Sequence, residues 1–255
     1  MSYNMLEDID EKSTIFPLRI AFSFLSSAAA LSFVAVLTYI KAGTQHQTYI
    51  ATLSTIINLV AAYHYYEMLK VRTKDKISTA VEWKMGALRH SDWAVTMPLL
   101  VLKLYALINN ADHDILLNSV DLSALLAAIM VLLGAYSRLG LDELASWDIM
   151  SVTEKIMGVG CYLGSWTILV LLLIDLSQTY AGVDNNAIVY SFFLVWPCYG
   201  VVACVAVGMR QGSTGYPKNV ALMKDVVYSG LDIFSKGVFA YYTSSMAFGI
   251  SVLGS

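Results

Sequence analysis

Apolar residues fall in seven long blocks along the chain, near Pro17–Ile40, Tyr49–Leu69, Met85–Ile108, Ile115–Leu139, Ile149–Leu176, Ala187–Met209 and Val220–Leu253. Each reaches the roughly 20 residues that a helix needs to cross the hydrocarbon layer of a bilayer. The blocks are long and do not alternate with period two, which favours helices over the strands of a membrane barrel. Short polar joints separate them: Lys41–Gln47, Lys70–Lys84, Asn109–Asp114, Gly140–Asp148, Ser177–Asn186 and Gln211–Asn219. The pattern predicts an all-α membrane protein, a seven-transmembrane-helix bundle that takes up residues 1–255 as a single membrane domain. The basic joint Lys70–Lys84 reads as a solvated loop.

Composition sharpens this picture. Hydrophobic residues make up 57% of the chain and charged residues 14%, with a mean hydropathy of +0.62. Soluble domains carry about 25% charged residues, so a soluble globular class is excluded. The net charge of -3 and the lack of a basic region argue against a nucleic-acid partner. Met1–Thr14 is acidic, with Glu7, Asp8, Asp10 and Glu11, and lacks the basic start of a signal peptide. The first block is therefore expected to be a permanent helix. Cys161, Cys198 and Cys204 lie in apolar stretches and read as small buried hydrophobes. Their spacing suggests no zinc site.

Ionisable residues inside the blocks change the question from class to chemistry, because a charge at mid-membrane costs at least ~2.5–3.5 kcal/mol and usually marks function. The third block reads Arg89-His90-Ser91-Asp92-Trp93-Ala94-Val95-Thr96-Met97-Pro98-Leu99-Leu100-Val101-Leu102-Lys103. At about 100° per residue, Arg89, Thr96 and Lys103 all fall within roughly 60° of Asp92, and Lys103 lies about 16 Å further along the axis. This is a polar stripe down a membrane helix. The bland alternative is an Asp92–Arg89 pair with Arg89 and Lys103 snorkelling to opposite interfaces. The seventh block carries Asp232 and Lys236 one turn apart, far from either end. They are either a structural ion pair or a reactive amine with its counter-charge. A desolvated lysine condenses readily with an aldehyde, and the cation so formed needs negative partners, for which Asp92 and Asp232 are the candidates.

These residues carry a resemblance. Arg89-x-x-Asp92-Trp93-x-x-Thr96-x-Pro98-Leu99-Leu100 together with Asp232-x-x-x-Lys236, at these places in seven blocks, resembles the microbial (type 1) rhodopsins. The resemblance implies a light-driven outward proton pump, not an enzyme, with all-trans retinal held by Lys236 as a protonated Schiff base. It implies Asp92 as primary counter-ion and proton acceptor, Asp232 as second counter-ion, Arg89 beneath them holding water, and Thr96 hydrogen-bonding within the acceptor site. Trp93 and Trp196 would sandwich the polyene. Tyr199 would lie beside the chromophore, and Tyr162 and Trp166 would line its ring end. Met97, Leu100 and Ser235 complete the expected pocket, with Leu100 at the position that separates green from blue absorption.

The second block reads Ala62-Tyr63-His64-Tyr65-Tyr66 and is similar to the proteorhodopsin-like pumps, in which a histidine here pairs with the acceptor carboxylate. Such a pair titrates as a unit; a packing histidine is the plain alternative. Lys103 stands where typical pumps place Asp or Glu, as in a smaller subset resembling the rhodopsin of Exiguobacterium. It is a candidate proton donor or a charged residue at the inner rim. The sixth block has Trp196-Pro197-Cys198-Tyr199-Gly200 where the family has W-x-x-Y-P, which displaces the proline. No paired-carboxylate release group stands out; Glu67, Asp142, Glu143, Asp148 and Asp225 are unspecific.

The family topology places the N-terminus outside. The Lys/Arg distribution opposes it, since the joints on that side are the basic ones. Localisation in the plasma membrane, contact with lipid, protons and internal water as partners, and a homo-oligomer are further expectations from the resemblance. The runner-up functions are a photosensory rhodopsin controlling a partner protein and, behind it, a light-gated channel. A chloride pump does not fit a carboxylate at Asp92. A sodium pump would replace Asp92, Thr96 and Lys103 by Asn, Asp and Gln.

Overall fold

A computed structural model of the protein describes residues 11–108, 113–138, 151–179, 187–210 and 216–245. Among these residues the structure is helical apart from short joints, with α1 (Glu11–Ala42), α2 (Gln45–Lys74), α3 (Thr79–Ile108), α4 (His113–Arg138), α5 (Val152–Thr179) and α6 (Ala187–Arg210). The last rod consists of α7 (Lys218–Asp232), a π-helical turn (Ile233–Val238) and α8 (Phe239–Ser245) in continuous succession. Seven rods result. The tail of the seventh block beyond Ser245 and the expected joint at 140–148 lie outside the described residues.

Each rod packs on its sequence neighbour, and α1 also contacts the last rod, which closes the ring. The helices are long enough, at about 1.5 Å per residue, to cross a hydrocarbon layer ~30 Å thick. By length and apolarity two of them, Ser13–Ala42 and Val152–Gln178, meet a strict membrane-span criterion. Their outer surfaces carry large exposed hydrophobics, among them Phe33, Leu37, Leu163 and Leu171, as a wall facing lipid requires. Between α1 and α2 the chain turns at Gly43, whose φ of 72° favours glycine. Its N–H donates to the Ile40 carbonyl at 3.2 Å and closes the end of α1.

The interior is mixed. One apolar cluster joins Trp93, Met97, Leu100, Leu104, Trp196 and Phe239 with residues of α2, α4 and α5. A second joins Leu18, Leu25, Tyr65, Met68 and Met85. Buried among them are Arg72, Glu82, Arg89, Asp92, Thr96, Lys103, Lys224, Asp225, Asp232 and Lys236.

Two expectations are corrected. The joint expected at 70–84 is mostly helix: α2 runs on to Lys74 and α3 starts at Thr79. The reason is electrostatic. Arg72 and Glu82 are not solvated; they are buried and ion-paired to each other, so both helices extend through residues that hydropathy reads as a loop. The cysteines are also not buried hydrophobes: Cys198 and Cys204 are exposed and Cys161 is half-buried. Lipid-facing positions of a membrane helix accept an apolar thiol as readily as a core does.

Candidate functional site

The site is built by α2, α3, α6 and the last rod. Lys236 sits inside the π-helical turn and is buried. Such a turn breaks the regular ladder. The Lys236 carbonyl is approached at 3.4 Å by Asn58 Nδ2 from α2, which also donates to the Ser54 carbonyl at 2.8 Å. The amine projects between two carboxylates: Nζ lies 2.5 Å from Asp92 Oδ2 and 3.1 Å from Asp232 Oδ1. All three residues are fully enclosed. The structure therefore brings together the three charges that the sequence placed on two separate helices.

The two carboxylates differ in their partners. Asp232 accepts a hydrogen bond from Tyr65 Oη at 2.8 Å, one from Tyr199 Oη at 2.8 Å and one from Trp93 Nε1 at 3.2 Å. Asp92 is held by Lys236 alone, and its Oδ1 has no hydrogen-bond partner among the described residues. Thr96 is buried beside it, and its hydroxyl donates to the Asp92 main-chain carbonyl at 2.9 Å, not to the carboxylate. Ser235 Oγ lies 3.1 Å from Tyr199 Oη, which ties the residue before the lysine into the same network.

His64 does not hydrogen-bond to Asp92 in this structure. Its Nδ1 lies 2.8 Å from the Val60 carbonyl one turn back, and its ring meets Tyr63 edge-on. A histidine in a helix finds that carbonyl without leaving its own element. It remains within electrostatic range of Asp92. Arg89 likewise turns away from Asp92: its guanidinium stacks over the Tyr228 ring and pairs with Asp225. Lys103 is buried on the far side with its amine 4.1 Å from the centre of the Phe239 ring. No carboxylate accompanies it among the described residues.

An aromatic cavity lies against this triad. It is lined by Trp93, Met97, Tyr162, Trp166, Trp196 and Tyr199, with His90, Gly200 and residues of α4, and offers about 100 Å³ to the centre of a water molecule. Trp93 and Tyr199 face both the cavity and Asp232, so they connect the two. Leu100 and Ser235 were expected here but do not line the cavity; Leu100 packs in the neighbouring apolar cluster. Gly200 has a steric reason. A Cβ there would meet Trp166 at 2.5 Å, so only glycine lets the indole reach this depth. Tyr162 Oη donates to the Gly200 carbonyl at 3.2 Å and holds α5 on α6.

Sequence reasoning missed Tyr65, Tyr228 and the ionic cluster of Arg72, Glu82, Lys224 and Asp225. Asp225 lies seven residues before Asp232, on the same helix face, and that register was the available signal. Tyrosines gave none, because an aromatic residue in a membrane helix reads as packing.

A buried lysine caught between two acids beside a cavity rich in aromatic residues, inside seven helices, defines the retinal-binding class of membrane bundles. The family model described as "Bacteriorhodopsin-like protein" matches residues 16–249, and the chain belongs to that family. Its members are integral membrane proteins that bind retinal. Among solved structures, the viral rhodopsin OLPVRII is 20% identical with a TM-score of 0.67, over 92% of this chain and 98% of that one. The rhodopsin of Exiguobacterium sibiricum is 16% identical with a TM-score of 0.66, over 93% and 98%. The light-driven proton pump LR (Mac) of Leptosphaeria maculans is 19% identical with a TM-score of 0.65, over 93% and 97%. At these identities the likeness is one of fold. No curated protein matches the chain closely enough to count as a relative.

Proposed function

We propose that the protein is a light-driven outward proton pump that carries all-trans retinal on Lys236. The observation that supports this reading above all others is the Lys236 amine, enclosed 2.5 Å from Asp92 and 3.1 Å from Asp232. The fit to the chromophore rests on the amine's enclosure and on an adjoining, mainly apolar cavity that Trp93, Tyr162, Trp166, Trp196 and Tyr199 help to line. Retinal bound there as a protonated Schiff base supplies light absorption and a change of shape on isomerisation.

The residues divide the remaining work. Asp232, with three hydrogen bonds to its carboxylate, is the more firmly held of the two acids. Asp92 touches the Lys236 nitrogen, so it is the base within reach of that proton. His64 acts on Asp92 through space. Lys103, about 16 Å along α3 from Asp92, is the donor on the opposite side: its amine takes a proton there and passes it to the Lys236 nitrogen. With the N-terminus outside, one proton moves outward per cycle. A chloride pump is disfavoured because an anion would stand beside the Asp92 carboxylate. The direct test is illumination of cells or liposomes containing the protein. Acidification of the medium that collapses with an uncoupler is expected; a passive current that reverses with voltage would mean a channel.

A second reading has one observation in its favour. Lys103 has no carboxylate beside it among the described residues, and a lysine alone is a slow proton supply at neutral pH. Slow return of the proton gives a long-lived photoproduct, which suits a photosensor acting on a partner protein. No pH change together with such a product would favour it.

A further inference from the structure

Five ionisable side chains are buried together where α2 ends and α3 and α7 begin. Arg72 pairs with Glu82, and its Nε donates to Asp225 Oδ2 at 2.8 Å. Arg89 pairs with the other oxygen of Asp225. Lys224 Nζ lies 3.7 Å from Glu82 Oε2 and donates to Tyr216 Oη at 2.8 Å. In every one of these ion pairs both side chains are at most 1% exposed. With ordinary ionisation, three cations face two carboxylates, which leaves one positive charge in excess. The group around Lys236 has the opposite imbalance, one cation facing Asp92 and Asp232. The two groups neutralise each other across about 10 Å, the rise over the seven residues from Asp225 to Asp232.

A buried net charge is costly unless it is matched. We propose that Arg72, Glu82, Lys224 and Asp225 are positioning residues that hold Arg89 away from Asp92 and supply the positive charge that keeps Asp92 ionised in the dark. The proposal rests on the retinal reading above. Asp92 is faced by Lys236 and Asp232 from the last rod and by His64 from α2, while Arg89 of its own helix is turned to Asp225. Substituting Arg72, Glu82 or Lys224 leaves Lys236, Asp232 and His64 in place, so a shift in Asp92 reports the cluster, whereas Asp225→Asn also frees Arg89, whose charge moves the titration in the same direction. Arg89, three residues before Asp92, is clamped to Asp225, so its charge belongs to the distant group and the Asp92–Lys236 contact stays free for proton exchange.

The test is a pH titration of the visible band of the purified full-length pigment. Removing a cation (Arg72→Gln or Lys224→Met) leaves the whole assembly one charge negative, so Asp92 takes up a proton more easily and the colour change moves to higher pH. Removing an anion (Glu82→Gln or Asp225→Asn) moves it to lower pH. Each shift is expected to be about one pH unit for charges ~10–15 Å apart at an effective dielectric of ~20. The double variant Arg72→Gln/Glu82→Gln restores the balance and returns the midpoint toward that of the wild type. A cluster that only holds helices together would shift all variants one way. Shifts of the same sign, or none, overturn the proposal. Either charge pair, Arg72 with Glu82 or Lys224 with Asp225, suffices if a member of the other fails to fold. A wild type that forms no pigment refutes the retinal reading instead, so the two failures are distinguishable.

Discussion

At the residue scale, Asp92 and Asp232 share one chemistry and one amine yet are set up for different tasks. Asp232 is fixed by Tyr65, Tyr199 and Trp93, whereas Asp92 answers only to Lys236 through its side chain. Asp92→Asn is therefore expected to shift the absorption band to the red, because the ground-state cation loses its nearest anion, and to abolish light-induced acidification. Absorption and pH-electrode recordings check both. Tyr65→Phe takes one donor from a buried carboxylate and should cost about 1–3 kcal/mol in a thermal or denaturant unfolding series. Lys103→Met should slow the return of the dark state about a hundredfold if the amine delivers the proton; unchanged flash-photolysis decay would remove Lys103 from the pathway. The charged members of the site were legible in the sequence because hydrocarbon tolerates charge only for a reason. The hydroxyls and the indole N–H that orient Asp232 were not legible, since Tyr65 and Trp93 suit a membrane helix whether or not they donate a hydrogen bond.

At the scale of the element, hydropathy located all seven rods and misjudged their ends where charges are buried in pairs. A window average over 70–84 counts Arg72 and Glu82 as solvent-seeking, but each supplies the counter-charge the other needs inside the bundle. The same fact bears on orientation. Arg72 of the basic joint is buried, so it is not one of the loop charges that the positive-inside rule counts, and a part of the bias opposing the family topology disappears. The π-helical turn around Lys236 was invisible in the sequence, because its carbonyl is met by Asn58 from another helix. The displaced proline of α6 has a partial physical account. Its family position is taken by Gly200, where a Cβ would strike the Trp166 indole at 2.5 Å. Gly200→Leu should push Trp166 into the cavity and sharply reduce pigment yield on reconstitution with retinal, while Gly208→Leu, at a position with open space beside it, should not.

At the scale of the whole molecule, the bundle sets a chain of buried charges across α2, α3 and the last rod, between apolar clusters. Lys103 lies beyond the triad on one side and the Arg72–Asp225 cluster on the other, so the polar path is continuous in sequence register but asymmetric in charge. The fold was readable from seven apolar blocks alone, and the triad from three charges out of place. The coupling between the triad and the cluster was not, because it depends on which ends of three helices meet. All of it presupposes a chromophore on one nitrogen. The most direct measurement is the visible absorption spectrum of the purified protein after addition of all-trans retinal, for the wild type and for Lys236→Ala. The account predicts a visible band in the wild type and none in the variant. A wild type that stays colourless, or a variant with the same band, would contradict it.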